Sequence, residues 1–339
     1  MWDNPMKILL LGGNGLLGHN VLKQLLQQGH EVHALLRNVS ALRTDGFPNV
    51  HERLQTFQGS LLDDAALQAA AQGCDAIINC AGVTDMSLLH YDDYLPVNRD
   101  LCRRLVQLME RLHITRLVHT STANTIGYGT PSQPADEQAP MQPPFSRSYY
   151  GRSKQAGEAL LMQAAQRHPD WHIVIVNPGF MVGAYDTKPS SGTLLLTGYR
   201  KPLMVAPRGG KSFVHVVDAA VAIATALTCG THGGRYLLTG QNLSLKQFYR
   251  LQAQVCNYRQ CIIPLPNSVL AVAGWCGDLV RLCGVRTQLS TRNVRQLMVR
   301  EYYDNTRART DLQMPQTPIS QASRDFFEWY LSRPIHSKQ

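Results

Sequence analysis

Tyr150 and Lys154 stand four residues apart within Ser148–Arg167, a stretch with a helical pattern, so the two side chains share one helix face. A phenol with its ordinary pKa of about 10 is a poor base at neutral pH, and a nearby ammonium favours its ionised form. Such a pair can protonate the alkoxide made when a hydride reaches a carbonyl, or take that proton in the reverse reaction. The spacing arises by chance in many helices, so its meaning depends on what precedes it. Tyr149 does not stand four before the lysine and reads as packing.

What precedes it is a dinucleotide motif. The apolar run Lys7–Leu11 leads into Gly12-Gly13-Asn14-Gly15-Leu16-Leu17-Gly18 and then into an amphipathic helix. Glycines there permit a tight turn and close approach of the backbone to a pyrophosphate, which the N–H groups of the helix start then bind. A second strand ends at Leu36 and is followed by Arg37 and Asn38. An NAD site usually offers an acid near this point for the ribose hydroxyls; an arginine suits a 2′-phosphate instead. NADP is therefore the expected cofactor, with NAD the alternative.

These groups need a scaffold, and the first half of the chain spells one. Short apolar runs at Lys7–Leu11, Glu31–Leu36, Val50–Phe57, Ala76–Cys80, Arg116–Thr120 and His172–Asn177 alternate with helical patterns. The helices are Leu16–Gln28, Asp64–Gln72, Tyr94–Leu112 and Ser148–Arg167. Alternation of this kind predicts an α/β fold, a Rossmann-type doubly wound parallel sheet with helices on both faces. After Pro178 the regularity fails, and 183–212 reads as loop near the ligand. A helix over Asp218–Thr228 with Asp218 as N-cap, a strand at Arg235–Leu238, and helices at Ser244–Val255, Pro266–Leu282 and Ile319–Leu331 follow. The division expected is a dinucleotide domain over 1–180, completed by about 213–240, with a smaller, mostly helical substrate lobe from 181–212 and 241–339. The helix Pro266–Leu282 is apolar most of the way round, which predicts burial in that lobe; contact with lipid or a greasy substrate is the alternative. His215, in an apolar run, reads as a satisfied buried histidine.

Composition narrows the classes. At 44% apolar and 17% charged residues the chain is globular rather than disordered. Its net charge of +9 admits attraction to an anionic ligand or surface, or simply a soluble basic exterior. The basic residues are scattered, which argues against nucleic acid. Eight cysteines without a Cys-x-x-Cys pair or zinc-spaced histidines predict no metal site and a cytoplasmic, reducing compartment. No apolar run is long enough for an integral membrane segment.

Taken in order, the motifs resemble the extended short-chain dehydrogenase/reductase family along nearly the whole chain. The glycine loop, Asn79-Cys80-Ala81-Gly82, Asn98, Thr120-Ser121-Thr122 with Gly127, Tyr150-Gly151-Arg152-Ser153-Lys154 and Asn177-Pro178-Gly179 carry the likeness. Gly179-Phe180-Met181-Val182-Gly183, Tyr185-Asp186 and Lys188 to Gly192 look most like the dihydroflavonol-reductase-like branch, which reaches into 3β-hydroxysteroid dehydrogenases and nucleotide-sugar epimerases. The resemblance implies Tyr150 as acid/base, Lys154 as its electrostatic partner and ribose ligand, and Thr122 as substrate-oxygen donor with Ser121 its competitor. It also implies a water held by Asn98. Cofactor contacts are implied for the loop, Arg37, Asn38, Ser60, Leu61, Cys80, Ala81, Gly82, Thr120, Tyr150, Lys154, Asn177, Pro178, Gly179 and Phe180. Thr84, Thr122, Tyr150, Phe180, Met181, Tyr185 and the 190–205 segment would meet the substrate. Two departures stand out: Ser60 replaces the usual aspartate of a G-D-L segment, and Thr122 the commoner serine. The function expected is NADP-dependent interconversion of a small-molecule ketone or aldehyde and its alcohol. A nucleotide-sugar epimerase or dehydratase holding NAD tightly, with Arg200, Lys201 and Arg208 on the diphosphate, is the first alternative. A non-catalytic dinucleotide sensor is the second. A homodimer through Tyr94–Leu112 and Ser148–Arg167 is the assembly that the resemblance implies.

Overall fold

The computed structural model describes residues 5–44, 47–48, 50–187 and 191–333. Lys188, with residues 189 and 190 of the anticipated substrate segment, lies outside the described residues. The chain begins β1 (Lys7–Leu11), α1 (Leu16–Gln27), β2 (Glu31–Leu36), a single turn α2 (Val50–Arg53), β3 (Leu54–Gln58), α3 (Asp64–Ala71) and β4 (Ala76–Asn79). It continues with α4 (Leu101–Leu112), β5 (Arg116–Thr120), α5 (Tyr149–Arg167) and β6 (His172–Pro178). Then come β7 (Phe180–Val182), α6 (Gly192–Gly198), β8 (Leu203–Pro207), β9 (Gly210–His215), α7 (Val216–Thr225) and β10 (Gly234–Leu238). The last stretch holds β11 (Gln241–Ser244), α8 (Leu245–Val255), β12 (Cys261–Leu265), α9 (Asn267–Leu282), α10 (Thr291–Val294), β13 (Arg300–Glu301), α11 (Thr306–Asp311) and α12 (Ile319–Ser332).

Seven strands form one parallel sheet in the order β10-β6-β5-β4-β1-β2-β3. This is the doubly wound Rossmann order, with its switch point between β1 and β4. Successive side chains of a strand point to opposite faces, and the two faces fill accordingly. Ile8, Leu10, Val118 and Val174 pack with α1 and α7, while Leu9, Leu11, Leu117 and Ile173 pack with α3, α4 and α5. Central strands buried on both sides read as unbroken apolar runs, which is why the sequence shows them clearly. A third core joins Val182, Leu195, Phe213, Phe248, Ile319 and Phe326 from the later elements. Ala308, Leu312 and Met314 return to the first core.

Five expectations need correction. The run at Val50–Phe57 is not one strand: Val50–Arg53 turns helically before β3. The helix expected over Tyr94–Leu112 opens with a π-turn at Pro96–Asp100, where proline removes a backbone donor. The 183–212 segment holds α6, β8 and the start of β9, whose partners β12, β11, β13 and β7 come from elsewhere in the chain. Helix α7 starts before Asp218: His215 caps it by accepting from the Val217 N–H at 3.0 Å. Asp218, in the first turn, accepts instead from the Thr317 N–H and hydroxyl at 2.7 and 2.8 Å. Finally, α9 is not buried; most of its large apolar side chains face solvent. His215 is buried and satisfied as expected, its Nε2 lying 2.9 Å from Asp325.

Candidate active site

The glycine loop lies at the carboxyl end of β1, directly against the end of β4. Gly12 has φ +80°, and a Cβ there would sit 2.8 Å from the Ala81 nitrogen. A Cβ on Gly18 would come within 2.1 Å of the Gly12 carbonyl oxygen. Both positions exclude any larger residue. Gly15 caps α1 with no side-chain hydrogen bond, and no acid occupies the helix's first turn. The N–H groups of that turn are therefore available to an anion, and the helix dipole favours one. Arg37 and Asn38 are exposed at the carboxyl end of β2, with Asn38 also capping a short turn through Ser40. Ser60, exposed after β3, accepts from the Leu62 N–H, and Leu61 packs on the second core. The cradle, its helix and the nearby arginine fit a dinucleotide.

Tyr150, Lys154 and the hydroxyl segment converge beside that cradle. Ser148 caps α5 by accepting from the Gly151 N–H, which sets Tyr150 in the first turn. Tyr150 is half-buried, and Thr122, whose hydroxyl accepts from the Asn124 N–H at 3.3 Å, is buried. Ser121 is also buried, but its hydroxyl has no partner among the described residues. Lys154 is buried, and its Nζ donates to the Thr120 carbonyl at 2.7 Å and the Ala81 carbonyl at 3.5 Å. Gly82 leaves room beside that ammonium: a Cβ there would stand 3.2 Å from Nζ. Asn98 sits in the π-turn, and its side chain is committed to the Val83 backbone on both sides, at 2.8 and 3.0 Å, and to Ser153 Oγ at 2.9 Å.

Burial governs the titration of the pair. It raises the Tyr150 phenol above its ordinary pKa; the Thr122 side chain opposes this and the Glu158 charge adds to it. Burial likewise lowers Lys154, with Cys102, Glu158 and Cys80 acting the other way. The expected lowering of the tyrosine by its lysine is not what the protein alone provides. Desolvation penalises the charged form of each group and is the largest influence on both.

Sequence reasoning missed Glu158. Its Oε1 accepts from Thr125 Oγ1 at 2.6 Å and Asn177 Nδ2 at 2.8 Å, and Oε2 lies 3.8 Å from Arg235. Asn177 also donates to the Thr122 carbonyl at 3.1 Å, so one buried acid braces the hydroxyl segment from below. Its position four after Lys154, on the same face of α5, was the available signal.

A cavity of about 1040 Å³ has Tyr149 on its wall beside Pro143, Pro144 and Arg147, while Tyr150 and Lys154 do not line it. The opposite wall is Asp278, Arg281, Leu282, Arg292 and Arg295. Arg292 stacks 3.5 Å over the Tyr149 ring, and Tyr149 meets Tyr91, so its expected packing role is met. Arg281 and Asn293 fasten this wall to the 84–90 loop by donating to the backbone carbonyls of Ser87, Leu88 and Met86. Thr84 is exposed at the start of that loop. Phe180 packs on Phe213, Met181 on the first core, and Tyr185 on His19 and Phe47; none lines this cavity.

The profile of the NAD dependent epimerase/dehydratase family matches residues 8–238, from β1 to the end of β10. The chain belongs to that family. It is an NAD(P)-dependent oxidoreductase of the extended short-chain type, whose members include epimerases and dehydratases. A putative dihydroflavonol 4-reductase of Synechocystis is 28% identical, over 94% of this chain and 93% of its own length. The sterol demethylase protein B of Methylococcus capsulatus is 25% identical, over 97% and 99%. The UDP-glucose 4-epimerase of Thermus thermophilus, solved with NAD, superposes with a TM-score of 0.74 at 19% identity, over 96% of this chain and 99% of its own. That last likeness is one of fold. Among the described residues no helix is long and apolar enough to cross a membrane, and no three His, Cys, Asp or Glu side chains gather as a metal would need.

Proposed function

We propose that the chain is an NADP-dependent reductase or dehydrogenase acting on a ketone or aldehyde and the matching alcohol. The observation that carries this reading is the buried Lys154 ammonium held on the Thr120 and Ala81 carbonyls beside the glycine cradle, one helical turn after Tyr150, whose phenol burial keeps protonated. NADPH, when bound, supplies the hydride. Tyr150 then gives its proton to the developing alkoxide, and Thr122 holds the same oxygen. Lys154 faces the cofactor ribose, while Asn98, through Val83 and Ser153, positions the segment around it. Arg37 meets the 2′-phosphate. The body of the substrate occupies the cavity beside Tyr149. The assignment of 1–180 with 213–240 to the cofactor, and of 181–212 with 241–339 to the substrate, belongs to this reading. Two curated relatives with reductase names, the Synechocystis protein and a tetraketide alpha-pyrone reductase of Arabidopsis thaliana, support it.

A second reading has one observation behind it. Arg147, Arg292 and Arg295 on the cavity wall would suit the diphosphate of a nucleotide sugar, as an epimerase or dehydratase requires. Titration of NADPH and NADH into the wild type and Arg37→Ala separates the two. The reductase reading expects NADPH to bind about tenfold or more tightly than NADH, and the substitution to erase that preference. NAD that copurifies and does not exchange would favour the epimerase.

A further inference from the structure

Helix α9 turns its small residues inward and its large apolar ones outward. Leu270, Gly274, Gly277 and Arg281 fall on one stripe, which faces the protein. The fit is close: a Cβ on Gly277 would stand 2.0 Å from the Leu289 carbonyl oxygen, and one on Gly274 2.6 Å from the Val294 side chain. The opposite stripe carries Val272, Trp275, Leu279 and Leu282, which are 62, 61, 45 and 83% exposed. No charge interrupts it. The helix's charged groups are turned away, Asp278 accepting from the Thr291 N–H and Arg281 donating to loop carbonyls. Single exposed apolar residues are ordinary on protein surfaces, but a continuous stripe marks a contact.

The ribbon of β8 and β12, which precedes α9 in the chain, is also apolar on its exposed face. There Leu203, Val205 and Ile263 are exposed while Met204 and Ala206 are buried. β12 leads through Pro266 straight into α9. The charge of this region is one-sided: Gln241 to Arg300 contains eight Lys or Arg and a single acid, Asp278. Arg200, Lys201, Arg259 and Arg286, all exposed, flank the apolar segments along the chain.

We propose that α9 and the β8–β12 ribbon dock this protein on the surface of an anionic lipid bilayer. An apolar stripe with a tryptophan, flanked along the chain by exposed cations, suits the boundary between acyl chains and phosphate headgroups. The apolar face supplies burial and the cations supply attraction to the headgroups; neither needs a spanning helix. Leu282 and Gly284 are exposed and also line the cavity, so the docked face brings the cavity's rim to the lipid surface. The proposal is tested apart from the redox reading, since Val272, Trp275 and Leu279 belong neither to the Tyr150 site nor to the cavity lining.

The test is sedimentation of the full chain with vesicles of equimolar phosphatidylcholine and phosphatidylglycerol, and with phosphatidylcholine alone. The wild type should pellet with the mixed vesicles, release in high salt, and show a blue-shifted Trp275 emission. The triple variant Val272→Ser, Trp275→Ser, Leu279→Gln should keep the wild-type melting temperature and NADPH oxidation in solution. Its partition should fall about tenfold or more, because three apolar side chains leave the interface. Failure of the wild type to bind either vesicle overturns the proposal, as does unchanged binding by the folded triple variant. A self-associated wild type that the triple substitution makes monomeric, without vesicle binding, also overturns it and assigns the face to a second copy.

Discussion

At the scale of single residues, a half-buried phenol and a buried ammonium stand one helical turn apart, and desolvation sets the direction of both before any ligand arrives. Tyr150 is held in its acid form because its phenolate would be poorly solvated and would sit near the Glu158 charge. An acid form is the one carbonyl reduction needs. The rate of reduction should therefore stay level from about pH 6 to about pH 9, falling only where a raised phenol ionises. Alcohol oxidation needs the phenolate and should climb over the same range. Paired pH–rate profiles check both directions, and a reduction rate that declines through neutrality would contradict the assignment. Tyr150→Phe should lower turnover about a hundredfold to ten-thousandfold with cofactor affinity retained. The pair itself was legible from its spacing and its glycine-rich context. The direction of its titration was not, since desolvation depends on what covers a residue and that comes from distant parts of the chain. Glu158 escaped notice for the same reason: Thr125, Asn177 and Arg235 reach it from separate elements.

At the scale of elements, close backbone approaches hold the site's geometry. Helix α5 lies so near the π-turn that a Cβ on Gly157 would stand 2.2 Å from the Asn98 carbonyl oxygen. Gly157→Ala must push the two apart, and should cost about 1–3 kcal/mol of stability as overpacking does. Denaturant melts measure that loss, and activity should fall with it because Asn98, Ser153 and Lys154 move together. An unchanged melt would show that the contact relaxes freely. The parallel strands and their helices were readable because central strands and amphipathic helices write distinct periods into the sequence. After Pro178 the helices α7, α8, α9 and α12 and the strand β10 were readable too, but the short strands were not. β8, β9 and β11 are short, and each finds its partner across a long sequence separation, so no local pattern announces them. The exposure of α9 was misread because a helix apolar on most sides ordinarily lies in a core, whereas here glycines take the inner position.

At the scale of the molecule, the cavity has one wall from the loops beside Tyr150 and another from α9 and α10. Arg281 ties the second wall to the first by donating to the carbonyls of Ser87 and Leu88. Arg281→Met should raise KM for the substrate severalfold and leave the NADPH dissociation constant unchanged. Loss of those charge-assisted bonds should cost about 1–3 kcal/mol in the same melts. An equal loss of cofactor affinity would show that the wall acts beyond the substrate. Specificity was the least legible property: the proposed function assigns it to this junction of two separate regions, and no motif encodes a junction. The central claim is hydride transfer from NADPH with Tyr150 as proton donor. Its most direct test follows reduced-nicotinamide absorbance while a panel of ketones and aldehydes is offered to the wild type and Tyr150→Phe. Stoichiometric NADPH consumption with alcohol formed, absent in the variant, is the result predicted; turnover that survives the substitution, or a nucleotide sugar converted without net NADPH use, would contradict it.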